Sequence, residues 1–178
     1  MRHVFWLRRG VIAGRAGPDR EGWSPRELAD AGIGAVLSVN DGALIHPQDL
    51  MDVGIRYACV PLSDSAPPRP GDLATCVEAL PRALEFVLDA TRSAGSVLVH
   101  CHSGKDRTGM FLCYYLWATE HMTCDQAIDE VRRVREIALT AEGWEEFTRR
   151  VLRTLADERR ATSDPPGRPA KPASDTGR

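Results

Sequence analysis

The sequence predicts a single α/β domain in which a mostly parallel, twisted sheet of four to five strands carries helices on both faces. The chain has 178 residues, of which 43% are apolar and 27% charged, enough for one sizeable core. Short apolar runs alternate with stretches of helical periodicity, and no repeat or long linker divides residues 1–160. The last 18 residues, ATSDPPGRPAKPASDTGR, contain four prolines and no large apolar side chain, so we expect a disordered tail at 161–178.

The first predicted elements are a short apolar stretch, a helix and a strand. The apolar stretch covers residues 11–13. Ser24-Pro25-Arg26-Glu27 is a capping box with proline at the first helical position, which predicts a helix that ends near Gly32. The apolar run AVLSV at 35–39 predicts a buried strand.

A second helix and strand follow, and then a proline-rich loop. Residues 46–53 predict one or two helical turns closed by Gly54, and residues 57–60 predict a strand. The loop SDSAPPRPG covers residues 63–71. Apolar residues then recur at helical spacing between 73 and 88, and we expect Pro81 to kink this helix or to start a new one.

The most hydrophobic predicted strand, SVLV at 96–99, precedes three helices. We place these helices near 107–119, 124–136 and 141–160, and the second opens with a capping box from Thr123 to Gln126. In sheets of this kind ligands bind in the crevice at the carboxyl ends of the strands. The segment after SVLV is therefore where we expect a site.

Composition argues against several classes of protein. The balance of 23 Lys and Arg against 25 Asp and Glu gives a net charge of −2, unlike a dedicated nucleic-acid binder. The sequence contains no run of about 18 apolar residues, so we expect no stable membrane insertion. Arginines interrupt the apolar residues of the N-terminus, so we expect no export signal. Five cysteines without CxxC spacing fit neither a disulfide framework nor a zinc site. We expect a cytoplasmic monomer that uses no metal or other cofactor.

The segment with a chemical pattern is HCHSGKDRTG at 100–109, between the SVLV strand and the next helix. A loop in this position directs successive backbone N–H groups and the positive end of a helix into one concavity, which suits a phosphate. Gly104 permits a sharp turn, and Arg107 offers a planar pair of donors to two phosphate oxygens. The predicted phosphate-binding residues are His102, Ser103, Gly104, Lys105, Asp106 and Arg107.

Cys101 lies at the bottom of this predicted anion site. Donors that bind phosphate also stabilise a thiolate, so we expect Cys101 to be a nucleophile that attacks phosphorus. Thr108 is expected to donate its hydroxyl to the sulfur when the intermediate breaks down. We expect His100 to orient the loop through a ring hydrogen bond rather than to transfer protons.

The segment resembles the HCxxGxxR[ST] signature of the cysteine-dependent protein tyrosine and dual-specificity phosphatases. YACVPLSDSAPP is similar to the acid loop of the compact dual-specificity-like branch, and VRRVREIALTAEGWEEF is similar to the segment after its catalytic helix. The resemblance covers residues 10–158. Leu62-Ser63-Asp64 stands where the classical tyrosine phosphatases have Trp-Pro-Asp. The signature positions are matched by His100, Cys101, Gly104, Arg107 and Thr108.

The resemblance implies a phosphomonoester hydrolase that acts on phosphoproteins through a phosphocysteine intermediate. The expected substrates carry phosphotyrosine, with phosphoserine and phosphothreonine as further candidates. Asp64 aligns with the general acid of the family, and Asp106 is the rival for that role. Lys105 leaves a phosphoinositide or inositol phosphate substrate open, because a second cation favours polyanions.

Other readings of the sequence stay open. The chain could be a catalytically inactive phosphate-binding module, although the nucleophile, arginine, hydroxyl and an acid are all present. Other users of Cys-x5-Arg chemistry are the low-molecular-weight phosphatases, arsenate reductases and rhodanese-like phosphatases. Cys59 or Cys76 could form a reversible disulfide with Cys101. The arginine-rich residues 1–20 could steer anionic substrates, or form a solvated face.

Overall fold

The computed structural model describes residues 3–40, 42 and 44–163. Strands and helices alternate along most of the chain, as the sequence predicts. The elements in chain order are β1 (Phe5–Arg8), β2 (Ile12–Ala16), α1 (Pro25–Asp30), β3 (Ile33–Ser38), α2 (Pro47–Met51), β4 (Arg56–Cys59), α3 (Asp72–Ser93), β5 (Ser96–Cys101), α4 (Asp106–Thr119), α5 (Cys124–Val134) and α6 (Trp144–Ser163).

The strands form one five-stranded sheet in the order β1-β2-β5-β3-β4. Strand β5 is central and pairs in parallel with β2 on one side and with β3 on the other, and β3 pairs in parallel with β4. Only β1 is antiparallel to its neighbour among the described strands. The mostly parallel α/β sheet predicted from the sequence is therefore confirmed.

Each face of the sheet has its own apolar core. The larger core packs beneath α3, α4, α5 and α6, and the smaller one beneath α1 and α2. Side chains alternate between the faces along a strand, and in β5 Val99 and Cys101 belong to the larger core while Leu98 belongs to the smaller one. Cys101 and the preceding His100 therefore project toward opposite faces.

Strand β1 is absent from the sequence prediction, which recognises only an apolar stretch at 11–13. Arg8 at its end forms salt bridges with Glu120 and Glu130, each at 2.7 Å. The side chain of Arg15 is 4% exposed on β2, and burial lowers its pKa. Part of the arginine-rich N-terminus is thus built into the sheet and is not a solvated face.

Helix boundaries agree with the prediction to within a few residues, with two corrections. Both capping boxes form, at Ser24 and at Thr123. Helix α3 runs through Pro81 without a new start. Helix α6 continues to Ser163, three residues into the segment predicted as a tail. The rest of that segment, 164–178, lies outside the described residues.

The cysteines do not share one environment. Cys76, Cys101 and Cys113 are buried, whereas Cys59 is exposed and Cys124 is half-buried. Burial raises the pKa of the Cys76 thiol to about 11. No disulfide joins any of the five, all of which lie in the described part of the chain.

Candidate active site

The segment 102–105 connects β5 to α4 at the carboxyl edge of the sheet. Gly104 lies in this turn with a positive φ of 59°, a conformation that favours glycine. A Cβ on Gly104 would overlap the backbone of Arg15 and lie 2.6 Å from Ala16 N. The turn is therefore pressed against the end of β2, and the sharp turn predicted at Gly104 is present.

The carbonyl groups of this loop are bonded on its outer side. His102 O accepts from Gly17 N at 3.0 Å. Arg135, just after α5, donates through Nε to Gly104 O at 3.3 Å and through Nη2 to Ser103 O at 3.2 Å. Within the described chain, the N–H groups of residues 103–105 have no acceptor. A loop with its carbonyls fixed and its amides unused has the donors that a phosphate needs.

A cavity of about 350 Å³, called here the main cavity, lies beside the loop. Asp64, His100, His102 and Arg107 line it, so residues on both sides of Cys101 contribute to its surface. The loops after β2 and β3 complete the lining, with Pro18, Asp19, Asn40, Gly42, Leu44 and Ile45. Residues from four loops thus meet at the carboxyl end of the central strands, where the sequence predicts the site.

Cys101 itself is buried. Its side chain is 1% exposed and belongs to the larger core, and it is not part of the cavity lining. Thr108, in the first turns of α4, is 0% exposed, and its Oγ1 has no hydrogen-bond partner in the described part of the chain. The thiol is therefore beneath the cavity surface rather than open to it.

Arg107 connects the loop to the segment that carries Asp64. Its Nε donates to Ser63 O, and its guanidinium lies 5.5 Å from the ring centroid of Trp144, a cation–π arrangement. Ser63 Oγ in turn donates to Asp72 Oδ2 at 2.8 Å. The predicted acid loop is therefore held against the signature loop through Arg107.

The two candidate acids have different environments. Asp64 is exposed and lines the main cavity together with Arg107. Asp106 does not line it, and its Oδ1 accepts from Ala141 N at 3.2 Å. Burial raises the pKa of Asp106. The Asp106 carboxylate thus bonds the backbone between α5 and α6.

His100 is held by a hydrogen-bond chain on the face of the smaller core. Its Nε2 lies 2.6 Å from Ser38 Oγ, which accepts from Tyr57 Oη at 2.9 Å. Burial lowers the pKa of His100 to about 4, so the ring is neutral near pH 7. An orienting ring hydrogen bond, as expected from the sequence, is present, but Ser38 and Tyr57 were not anticipated.

The loop after β2 supplies further site residues that the sequence analysis missed. Asp19 contacts His102 Nδ1 through its carboxylate. A Cβ on Gly17 would lie 2.6 Å from Asp19 Oδ1 and 2.9 Å from Cys101 O, so only glycine fits there. The sequence analysis identifies only an apolar stretch at 11–13, so it does not place this loop at the carboxyl edge of the sheet.

Two predicted phosphate ligands, Ser103 and Lys105, are half-buried and do not line the main cavity. Lys105 is the residue that precedes α4. No group of three or more His, Cys, Asp or Glu side chains in the described residues could hold a metal ion. No helix among them is long and apolar enough to cross a membrane.

Comparison with known proteins shows which family this geometry resembles. A family model described as "Dual specificity phosphatase, catalytic domain" matches residues 20–149. Dual specificity protein phosphatase 12 of Mus musculus is 32% identical over 143 residues, which make up 80% of this chain and 39% of that protein. Dual specificity protein phosphatase 1 of Arabidopsis thaliana is 38% identical over 61 residues, 34% of this chain and 31% of that protein. The chain thus spans less than half the length of these relatives.

Solved structures share the fold. Tk-PTP in its active form superposes with a TM-score of 0.68 at 22% identity, over 88% of this chain and 97% of that one. PTPMT1 in complex with PI(5)P superposes with a TM-score of 0.66 at 15% identity, over 84% of this chain and 94% of that one. At these identities the likeness concerns the fold alone.

Proposed function

Because the chain belongs to the dual specificity phosphatase family, whose members are hydrolases, we propose that it removes phosphate from phosphorylated proteins through a phosphocysteine intermediate. The observation that carries the proposal is that Asp64 and Arg107 line one cavity together with His100 and His102, the residues on either side of Cys101. The proposed acid and the proposed phosphate-binding arginine thus line one cavity, and the proposed nucleophile, Cys101, lies beneath its surface.

The proposed reaction has two steps. The Cys101 thiolate attacks phosphorus, the bond from phosphorus to the leaving oxygen breaks, and Asp64 gives that oxygen a proton. In the second step Asp64 takes a proton from water, the water oxygen attacks phosphorus, and the bond from sulfur to phosphorus breaks. Inorganic phosphate leaves and the thiolate is restored.

The surrounding groups stabilise the charge that develops. Arg107 and the N–H groups of the loop bind the equatorial oxygens of the phosphoryl group. The unpartnered hydroxyl of Thr108 is available to donate to the sulfur as it departs. Neutral His100, fixed by Ser38, orients the loop and carries no proton in the reaction.

A phosphoprotein is favoured over a phosphoinositide by the charges around the main cavity. The sequence argument for polyanions rested on Lys105, which does not line that cavity. Asp19 and the proposed acid Asp64 line it, and Arg107 is the one arginine or lysine of its lining in the described part of the chain. A second phosphate on an inositol ring would therefore meet the Asp19 carboxylate and no second cation.

Hydrolysis of a simple aryl phosphate by the purified chain tests the function. We expect turnover in the presence of EDTA and inhibition by vanadate. Cys101→Ser should abolish turnover and still bind vanadate. Cys59→Ser should keep the wild-type turnover, because it changes an exposed thiol outside the lining of the main cavity. Loss of activity in EDTA, or turnover by Cys101→Ser, would contradict the mechanism.

The burial of Cys101 permits a second test of the same function. Cys101 is 1% exposed and Cys59 is exposed, so removal of the Cys59 thiol allows the reactivity of Cys101 to be measured. In a Cys59→Ser background, iodoacetate should inactivate the protein by alkylating Cys101, and inorganic phosphate should protect it. Inactivation without modification of Cys101 would sink the assignment of the nucleophile.

A further inference from the structure

A smaller cavity of about 140 Å³, called here the side cavity, lies next to the main cavity. The two cavities share three lining residues, Pro18, Leu44 and Ile45. These three residues form a wall between the two cavities. A group bound in the main cavity, over the signature loop, therefore lies on one side of this wall and the side cavity on the other. The two cavities are therefore neighbours, and a ligand longer than a single phosphorylated side chain can contact both.

Six of the eight residues that line the side cavity have apolar side chains. Its polar lining comes from His46 and Asp49. Its apolar lining consists of Pro18, Trp23, Pro25, Leu44, Ile45 and Leu50. Leu44 is 61% exposed, so its side chain is accessible to a ligand in either cavity.

The size of the side cavity limits its occupant. A cavity of about 150 Å³ lined by apolar side chains accommodates a single benzene ring, and pockets for drug-sized ligands span roughly 300–1,000 Å³. At about 140 Å³ the side cavity fits one branched or aromatic side chain. The acyl chain of a phospholipid would not fit.

The charges on the two cavities favour a neutral occupant. Asp19, Asp49 and Asp64 contribute carboxylates. Arg107 is the only arginine or lysine that lines either cavity in the described part of the chain, and a substrate phosphate would take its donors. His102 contacts Asp19. A second anionic group on the substrate would therefore be repelled.

We propose that the side cavity binds one apolar side chain of a phosphoprotein substrate, close in sequence to the phosphorylated residue, an inference that rests on the phosphatase function proposed above. An extended peptide advances about 3.3 Å per residue, so a residue within three positions of the phosphorylated one can pass the shared wall. Leu44 and Ile45 are specificity-determining residues, because they separate the two cavities and face both.

A phosphotyrosine peptide series tests this assignment. The peptides have serine and glycine around the phosphotyrosine, with a single leucine placed in turn at each position from three before it to three after it. We expect kcat/KM to rise by at least about tenfold at one of these positions, the scale on which apolar pockets discriminate. The same position with aspartate should be poorer than with serine.

Variants show whether the side cavity is responsible. Leu44→Ser and Ile45→Ser should each reduce the ratio of kcat/KM between the leucine and serine peptides toward one. Met51→Ser should keep the wild-type ratio, because Met51 is 60% exposed on α2 and lines neither cavity. A leucine preference that is absent, or that survives in Leu44→Ser and Ile45→Ser, would overturn the inference.

Two further substrates separate failure of this inference from failure of the function. Turnover of a small aryl phosphate by the wild type, without any leucine preference, would leave the phosphatase function standing and remove the side-cavity assignment. Absence of aryl phosphate turnover would remove both. Phosphatidylcholine vesicles that carry a monophosphorylated phosphoinositide should be poorer substrates than the best peptide, and faster turnover of the vesicles would overturn the choice of a protein side chain.

Discussion

At the scale of single residues, His100 is the titratable group whose charge the fold constrains most clearly. It is 1% exposed, its Nε2 is paired with Ser38, and burial lowers its pKa to about 4. A neutral imidazole beside Cys101, the proposed nucleophile, adds no charge that changes near pH 7. This arrangement lowers the free energy of unfolding at low pH.

The stability of the protein should therefore depend on pH through His100. In the unfolded chain a histidine binds its proton near pH 6.5, whereas native His100 does so near pH 4. Between these values the unfolded state holds more protons, so the free energy of unfolding should fall as the pH drops from 6.5 to 4, by roughly 3 kcal/mol. Urea unfolding at several pH values measures this slope.

A matched control isolates the contribution of His100. His46 is exposed, so His46→Gln should keep the wild-type slope, while His100→Gln should flatten it. If His100→Gln fails to fold, an NMR titration of the imidazole signals replaces it. A His100 ring that is protonated at pH 6 would contradict the account.

Asp64 and Asp106 should separate into an acid and a structural residue. Asp64→Ala should lower kcat by about 10², the scale of general acid catalysis, with little effect on stability because Asp64 is exposed. Asp106→Ala removes the bond to Ala141 N and should lower the free energy of unfolding by about 1 kcal/mol. Steady-state kinetics and urea unfolding of both variants check this, and the reverse pattern would make Asp106 the acid.

At the scale of elements, Arg135 joins three parts of the fold. It follows α5, it donates to two carbonyls of the signature loop, and its guanidinium lies 5.3 Å from the ring centroid of Phe5 on β1. The hairpin of β1 and β2 thus supports the site indirectly. Arg135 is a positioning residue, because it acts on the loop and does not line the main cavity.

Loss of Arg135 should loosen the loop without unfolding the protein. A hydrogen bond from a charged donor contributes about 1.5–3 kcal/mol, and 1.4 kcal/mol of transition-state stabilisation corresponds to roughly a factor of ten in rate. We expect Arg135→Ala to lower kcat/KM for an aryl phosphate about tenfold or more and to weaken vanadate binding. Arg135→Lys should recover part of the loss.

Arg133→Ala is the control for this change. Arg133 is exposed and pairs with Glu130 on the same helix, an interaction of small value. The kcat/KM of Arg133→Ala for the aryl phosphate should stay near that of the wild type. Equal kinetics for Arg135→Ala and Arg133→Ala would show that the carbonyl contacts do not matter for the loop.

The elements that the sequence predicts well are those with local signals. Both capping boxes, the apolar run of β5 and the glycine turn at Gly104 are written in neighbouring residues, and each is present. Strand β1, FWLR, contains two aromatic residues that favour a strand, but it has only four residues and ends in an arginine, so its local signal is weak. Its pairing with β2 becomes evident only in three dimensions.

The candidate site divides in the same way. Residues 100–108 identify the loop from sequence, because the residue types expected for phosphate binding and for a reactive thiolate follow one another there. Asp19 and Arg135 contact the loop from segments more than thirty residues away, one on each side of it in the sequence. Because neither residue belongs to a motif, a single sequence does not indicate these contacts. For Pro81 the sequence leaves two outcomes open, a kink or a new helix, and the structure has one helix, α3, that continues through it.

At the scale of the whole molecule, strand β5 depends on neighbours that lie far from it in sequence. It is flanked by β2 and β3, and the buried residues Val151, Leu152 and Leu155 of α6 complete the larger core. The family model matches residues 20–149 only. That range omits β1, β2 and most of α6.

A protein cut to residues 20–149 should therefore not fold stably. Removal of β2 leaves one side of β5 as an open edge, which promotes aggregation, and the shortened α6 exposes part of the core. A protein of residues 3–163 should unfold at the same denaturant midpoint as the full chain. Solubility and urea unfolding measure both, and cooperative unfolding of the 20–149 protein would contradict this prediction.

The exposed thiol of Cys59 has a practical consequence for chemical probes. Its Sγ donates to Asn40 O at 3.2 Å, and Asn40 belongs to the lining of the main cavity. A covalent ligand attached to Cys59 would begin at the edge of the main cavity. A short linker would extend from there over the signature loop, and Cys101, the proposed nucleophile, would stay unmodified. Electrophile libraries screened against this handle could yield inhibitors that owe their selectivity to a cysteine outside the signature.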